Sequence, residues 1–336
     1  MDAAKKVAEA VLYEGYMLWP YRRSATKNQQ RWTFGGVYPR TYSEARGEDD
    51  PWMMQTQCLV SGDGGSVVEV KVRFLHVVER RVSRRNAEGT LEFVDELRVG
   101  EERYLSWDEA TEREVAVGRF KLSELHSPGR VEIDVPGGSA EDPLAEPTGE
   151  VVGAVVREWR PLRGTVEVEA EPLREGLFRL TVRITNSTPW EGEDRESTLK
   201  QTFVSTHTTL EVEGGEFVSL IDPPEELRGP AQGCENIKTW PVLVGEEGER
   251  NMMLSSPIIL YDYPQIAPES PGDLFDGTEI DQMLILNVLT LTDEEKKEMR
   301  ASDPRAREIL ERAEALSPEE LMNLHGAIRE FRMLRD

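Results

Sequence analysis

Cysteine is nearly missing from this 336-residue chain: Cys58 and Cys234 are the only two, they stand far apart, and they form no CxxC pair. Neither a disulfide framework nor a zinc ribbon is indicated, and one bridge between the two stays open. Histidine is almost as scarce. His76, His126, His207 and His325 show no HxxxH or HExxH spacing, so each reads as a packed or surface residue rather than a metal ligand. GxSxG and GxxxxGK(S/T) are absent too, and "SGDGGS" at 61–66 reads as a hairpin turn, not a phosphate loop. No run of 18 apolar residues occurs, and the opening "MDAAKKVAEAVLYEGYMLW" lacks both a continuous apolar centre and a small-residue cleavage site. The expectation is a cytoplasmic protein that neither spans a membrane nor is secreted. The sequon at Asn186 then meets no glycosylation machinery.

One absence is local. From Gly15 to Ser43 there is no Asp or Glu, although the chain carries 64 acidic and 40 basic residues and a net charge of -24. The same stretch holds Arg22, Arg23, Lys27, Arg31 and Arg40 among Tyr16, Trp19, Tyr21, Trp32, Phe34, Tyr38 and Tyr42. Residues 1–46 are net +4, which leaves -28 on the rest. An acidic mean field repels phosphate, so general binding to nucleic acid or anionic membrane is disfavoured. Guanidinium groups mixed with rings suit three things: a strap over the chain's own acidic surface, a docking strip for an acidic protein, or a single-strand nucleic-acid groove. The sign of the body ranks them in that order. Within a Debye length of roughly 8–10 Å it attracts the segment and weakens phosphate capture. Arg22, Arg23, Lys27, Arg31 and Trp32 are the candidate partner contacts.

Hydrophobic residues make up 38% and charged ones 31%, enough apolar content for a core under a polar surface. A short helix is expected at 3–14, ended by Gly15. From about Trp52 to Tyr263 the pattern alternates: in "VVEVKVRFLHVV", Val68, Val70, Val72 and Phe74 share one side and Glu69, Lys71 and Arg73 the other. Similar runs bounded by Gly, Pro and Asn, with no helical crossovers between them, predict antiparallel sheets. "PGGSAEDPLAEPTGE" at 136–150 reads as a connection between two β units. The later unit has an immunoglobulin-like rhythm, although no Cys-Trp-Cys triad accompanies it. The expected organisation is a helix and basic aromatic strap at 1–50, a first β unit at 51–138, a second β-sandwich unit at 150–263, and an acidic Pro-rich segment with helices at 264–336. In fold class the chain is expected to be mainly β, with one or two antiparallel immunoglobulin-like sandwich units.

The C-terminal helices announce themselves by their caps. Thr292 with Glu295 fits a capping box, Asp303-Pro304 starts a second helix, and Ser317-Pro318 with Glu320 starts a third bearing Leu321, Leu324, Ile328 and Phe331 on one stripe. In "DLFDGTEID", Asp273, Asp276, Glu279 and Asp281 are candidate cation ligands, but their spacing fails the EF-hand loop. "STH" puts Ser205 and His207 two residues apart on one strand face, and a hydrolase would also need an oxyanion hole and an orienting acid.

The strings "VLYEGYMLWPYRRSATKNQQRWTFGGVYP", "SSPIILYDYPQIAPESPGDLFDGTEID" and "LTLTDEEKKEMRASDPRA" together resemble a bacterial protein family associated with gene clusters for actinobacterial-type NiFe uptake hydrogenases. The segments lie at both ends of the chain, and the β region resembles the family more loosely. No catalytic residue comes with the resemblance. It implies an accessory role beside a metalloenzyme, with a hydrogenase subunit or maturation factor as partner. The expected function is thus a non-catalytic scaffold or assembly protein without a cofactor. The alternative is a carbohydrate-binding or hydrolytic β-sandwich protein with a cation site.

Overall fold

The computed structural model describes residues 2–14, 16, 21–22, 28, 31–32, 34–46, 49–190, 194–265 and 281–317. They pack as two compact units, one of 1–14 with 32–265 and one of 15–31 with 266–336. The chain is mainly β, with one large antiparallel sheet and a few helices near its C-terminus.

The first unit opens with α1 (Asp2–Tyr13) and α2 (Arg40–Arg46). β1 (Met53–Arg85) follows and is the spine of the unit. Next come β2 (Leu91–Val94), β3 (Glu96–Val99), β4 (Glu102–Leu105), β5 (Trp107–Lys121), β6 (Gly129–Val135), β7 (Gly138–Ala145) and β8 (Val151–Trp159). After β9 (Leu162–Arg174) and β10 (Leu177–Asn186), α3 (Arg195–Leu199) leads into β11 (Val204–Val218), α4 (Arg228–Gln232), β12 (Trp240–Leu243) and β13 (Met252–Ser256). The expected connection at 136–150 is largely strand, since β7 pairs with β8.

Eleven strands hydrogen-bond into a single sheet because β1 is long enough to serve several partners. Along one edge it pairs with β11 and then β8; along the other it pairs with β10, β5 and β2 in turn. The run "SGDGGS" does not reverse the chain as expected. It is a bulge within β1, where residues 63–66 oppose Gly214 alone between the pairs Gly62–Gly215 and Val67–Glu213. Local bonds absorb the extra residues: the Ser66 hydroxyl donates to the Gly214 carbonyl at 2.7 Å, and the Gly65 N–H donates to Asp63 Oδ1 at 2.7 Å. Bulges of this kind bend and twist a strand.

On either side of the bulge, β1 feeds the same core. Cys58 and Val60 precede it, Val68, Val70, Val72 and Phe74 follow it, and all six are fully buried. They meet Val166 and Val168 of β9, Leu180, Val182 and Ile184 of β10, and Leu210, Val212 and Phe217 of β11. Phe74 stacks on Phe203 with centroids 4.7 Å apart. Each such side chain contributes roughly 1.5–3 kcal/mol by leaving water. The predicted alternation is borne out here, with Glu69 and Lys71 partly exposed between buried valines. β9 crosses β10 so closely at Gly164 that a Cβ there would lie 2.3 Å from the Thr185 carbonyl oxygen.

The second unit contains α5 (Asp281–Leu289), α6 (Asp293–Ser302) and α7 (Pro304–Ala315). The caps fall where the sequence puts them. Thr292 and Glu295 form a reciprocal capping box on α6, and Asp303 Oδ1 accepts the Arg305 N–H at 2.8 Å at the start of α7. The third expected helix, from Ser317, lies almost wholly outside the described residues.

Candidate functional site

Several described residues of the basic and aromatic leader are occupied within their own units. Arg22 forms an ion pair with Glu295 of α6 at 3.0 Å. Tyr16 is buried, and its hydroxyl donates to Asp303 Oδ2 at 2.8 Å. The guanidinium carbons of Arg31 and Arg305 lie 5.7 and 5.4 Å from the Tyr16 ring centroid, within cation–π range. Burial, and then the neighbouring Asp303 charge, hold the Tyr16 hydroxyl well above the ordinary tyrosine range. In the first unit Trp32 is buried and sits at φ 59°, a left-handed conformation uncommon for a bulky residue. Arg23 and Lys27 lie outside the described residues.

The candidate cation residues Asp273, Asp276 and Glu279 also lie outside them, and Asp281 is the first residue of α5. Among the described residues no group of three or more His, Cys, Asp or Glu could hold a metal ion. Ser205 and His207 are both buried on β11. The Ser205 hydroxyl donates to the Val11 carbonyl of α1 at 3.3 Å, and His207 Nδ1 lies 3.1 Å from the Ser205 carbonyl. The first bond ties α1 to the sheet, and the hydroxyl is directed to a main-chain carbonyl rather than to a base. Burial depresses the His207 pKa to about 4, helped by the Arg73 charge. His76 is lowered to about 4 in the same way, with Arg113 adding to burial.

Cys58 and Cys234 are both free thiols. Cys58 points into the main core, whereas Cys234 packs with Leu59 in a separate cluster. Since Cys58 and Leu59 are successive strand residues, their side chains point to opposite faces of the sheet, and no bridge joins the two thiols.

The outer edge of β12 carries a surface that sequence reasoning missed. The chain from 257 to 263 travels beside β12: Trp240 pairs with Ser256 at one end, and the Tyr263 N–H donates to the Leu243 carbonyl at the other, 2.7 Å away. The stretch "PIILYDY", expected as strand, forms none beyond Ser256, although its burial alternates from Ile258 to Tyr261. Ile258 and Leu260 pack inward against Val7, Val11, Val242 and Leu254. Ile259 and Tyr261 point outward, 74% and 61% exposed. Ile221, 57% exposed, is joined to this edge through Ser219, and Trp240 on the Val242 side of β12 is 42% exposed. Asp262 ties this edge together, accepting the Leu243 N–H at 2.8 Å and the Ser219 hydroxyl, whose oxygen in turn accepts the Ile221 N–H. Pro241 offers no N–H to an incoming strand, and Leu243 has spent both its backbone groups. The edge is therefore closed to strand addition, and what it presents is side chains. Exposed acidic residues flank it, Asp222 beside Ile221, and Glu246, Glu247 and Glu249 in the turn that follows β12.

No family model, curated protein or solved structure matches the chain. Among the described residues no helix is long and apolar enough to cross a membrane.

Proposed function

We propose that the protein is a non-catalytic accessory or assembly factor that acts by binding another protein, and that its contact surface is the β12 edge. The observation that carries this reading is the exposure of Ile259 and Tyr261 on the outward side of the β12 edge, with Ile221 joined to the same edge through Ser219 and Asp262. Adjacent large apolar side chains left exposed along an edge are a usual mark of a protein contact. The leader is assigned a structural role instead, because Arg22, Tyr16 and Arg31 are engaged by their own unit. The resemblance of the chain's two ends to a hydrogenase-associated family makes a hydrogenase subunit or maturation factor the proposed partner, and the cytoplasm the proposed compartment. On this reading the bent sheet is an elaborated sandwich of the immunoglobulin-like kind, whose edges are left for contact.

The test is affinity purification from the native host with mass spectrometry, run on the natural chain, on Ile259→Asp/Tyr261→Asp, and on Arg22→Glu. The edge variant is expected to keep its Tm and lose the specific partner. Arg22→Glu is expected to lower the stability of the second unit and keep the partner. Retention of the partner by the edge variant, together with its loss on charge reversal at Arg22, would transfer the contact surface to the leader.

A further inference from the structure

β6 lies at one end of the sheet, paired with β9 on one side and with no strand on the other among the described residues. Which of its backbone groups are free follows from β9. The Ser187 N–H donates to the Arg163 carbonyl at 2.9 Å, and the Arg163 N–H donates to the Thr188 hydroxyl at 2.8 Å, so the backbone of Arg163 faces the β10 side. Backbone direction alternates along a strand, and Gly164 and Val166 therefore face β6. Their partners Ile133 and Val131, with Val135 and Gly129, spend their bonds on β9. The N–H and C=O groups of Arg130, Glu132 and Asp134 point away from it, and no backbone bond among the described residues takes them up. Native edges are commonly blunted by Pro, by a bulge or by an inward charge. The β12 edge carries Pro241, and Pro143 interrupts β7. β6, "GRVEIDV", has none of these devices: its pairing with β9 runs without a register shift, and the side chains it turns inward are Val131, Ile133 and Val135. Its charges sit on the outer face, where the side chains of Arg130, Glu132 and Asp134 are all more than half exposed. Arg130 reaches Glu132 at 2.8 Å and Glu167 at 3.5 Å, and Arg163 reaches Asp134 at 3.8 Å. Ion pairs so exposed contribute little, which leaves these charges open to a further partner.

We propose that this edge pairs with the same edge of a second copy of the chain, antiparallel and centred on Glu132. The two-fold arrangement sets Arg130 opposite the second copy's Asp134 twice and Val131 opposite the second copy's Ile133 twice, with one like pair at Glu132. Opposite charges and apolar side chains directly across a ladder stabilise it, and like charges oppose it. Each outward residue then faces another outward residue, so every free N–H and C=O of the strand gains a partner. Other centres fit worse. A centre at Ile133 sets Glu132 against Asp134 twice, and one at Val131 runs Asp134 off the strand onto Pro128. A patch that complements itself about a two-fold axis is what a symmetric dimer requires. The proposal is independent of the β12 contact and uses none of its residues.

The test is analytical ultracentrifugation of the full chain from about 1 to about 500 µM, with amide hydrogen exchange over Gly129–Val135 at both ends of that range. A contact along one short strand is small and weak, so reversible dimerisation with a Kd on the order of 10–100 µM is expected, and exchange at the strand should slow as concentration rises. Arg130→Asp and Asp134→Arg each set like charges opposite one another and should weaken the dimer about tenfold. The double variant should restore it, and an equimolar mixture of the two single variants should form a heterodimer although neither pairs well with itself. Glu132→Gln removes the like pair and should tighten the dimer; being isosteric, it keeps the test valid if a charge reversal fails to fold. The proposal is overturned by a chain that stays monomeric up to about 500 µM, or by a double reversal that fails to restore association. Self-association that the single reversals spare and Ile259→Asp/Tyr261→Asp abolishes would also overturn it, and would assign the contact to the β12 edge.

Discussion

Replacing Asp303 by alanine removes two hydrogen bonds from the second unit at once, and their worth can be estimated separately. Asp303 Oδ1 caps α7 through the Arg305 N–H, and Oδ2 accepts the Tyr16 hydroxyl at 2.8 Å. Loss of a side-chain N-cap costs about 1 kcal/mol. The second loss leaves a hydroxyl stranded at a residue 1% exposed, which costs roughly 1–3 kcal/mol. Asp303→Ala should therefore destabilise the second unit by about 2–4 kcal/mol. Tyr16→Phe alone should cost about 1.5–3 kcal/mol, the range for a hydrogen bond to a charged group. The double variant decides the matter. With no hydroxyl left to strand, Asp303→Ala/Tyr16→Phe should be at least as stable as Asp303→Ala, so the two losses couple instead of adding. The assay is urea unfolding at neutral pH, with amide hydrogen exchange over 293–315 to read α6 and α7 directly. Strict additivity, or a loss below about 0.5 kcal/mol in Asp303→Ala, would refute the claim that the leader is held on these helices through Tyr16.

Two further predictions concern the first unit. Gly164→Ala would push a Cβ to 2.3 Å from the Thr185 carbonyl and 2.7 Å from the Phe203 ring. It should cost roughly 3 kcal/mol or more by overpacking, whereas Gly229→Ala, with nothing within 4 Å, should change Tm little; equal Tm values for the two would refute the close approach of β9 to β10 at Gly164. Acid should weaken the unit by way of His76 and His207, whose folded pKa values of about 4 lie below the ordinary 6.5. The unfolded chain then binds more protons between these limits. Stability is full above about pH 6.5 and falls as pH drops toward 4, by at most about 3 kcal/mol per histidine. A urea series across that window measures the slope, and His207→Gln should reduce it by about half; an unchanged slope would show that other groups carry the acid response.

The strand alternation and the caps were legible because both depend on near neighbours. Thr292 with Glu295, and Asp303 ahead of Pro304, satisfy the orphan N–H groups of a helix start within four residues. The valines at 68, 70 and 72 alternate with charge because a half-buried strand has a period of two. The bulge at 63–66 was not legible. "SGDGGS" has turn composition, and whether it reverses the chain depends on Gly214, some 150 positions away, standing opposite it. The same limit applies to "PIILYDY", whose alternation was visible while the exposure of its outward side was not.

What the sequence determined by itself is therefore local: a mainly β chain, helices begun by named caps, and a cationic leader on an acidic body. Tertiary structure decided what each surface is free to do. Arg22 and Tyr16 are committed because Glu295 and Asp303 are brought to them, although the two pairs are far apart in the chain. Ile259 and Tyr261 stay exposed because the path beside β12 buries Ile258 and Leu260 in their place. Charge and hydropathy are properties of residues, whereas availability for binding depends on which groups the fold places opposite them.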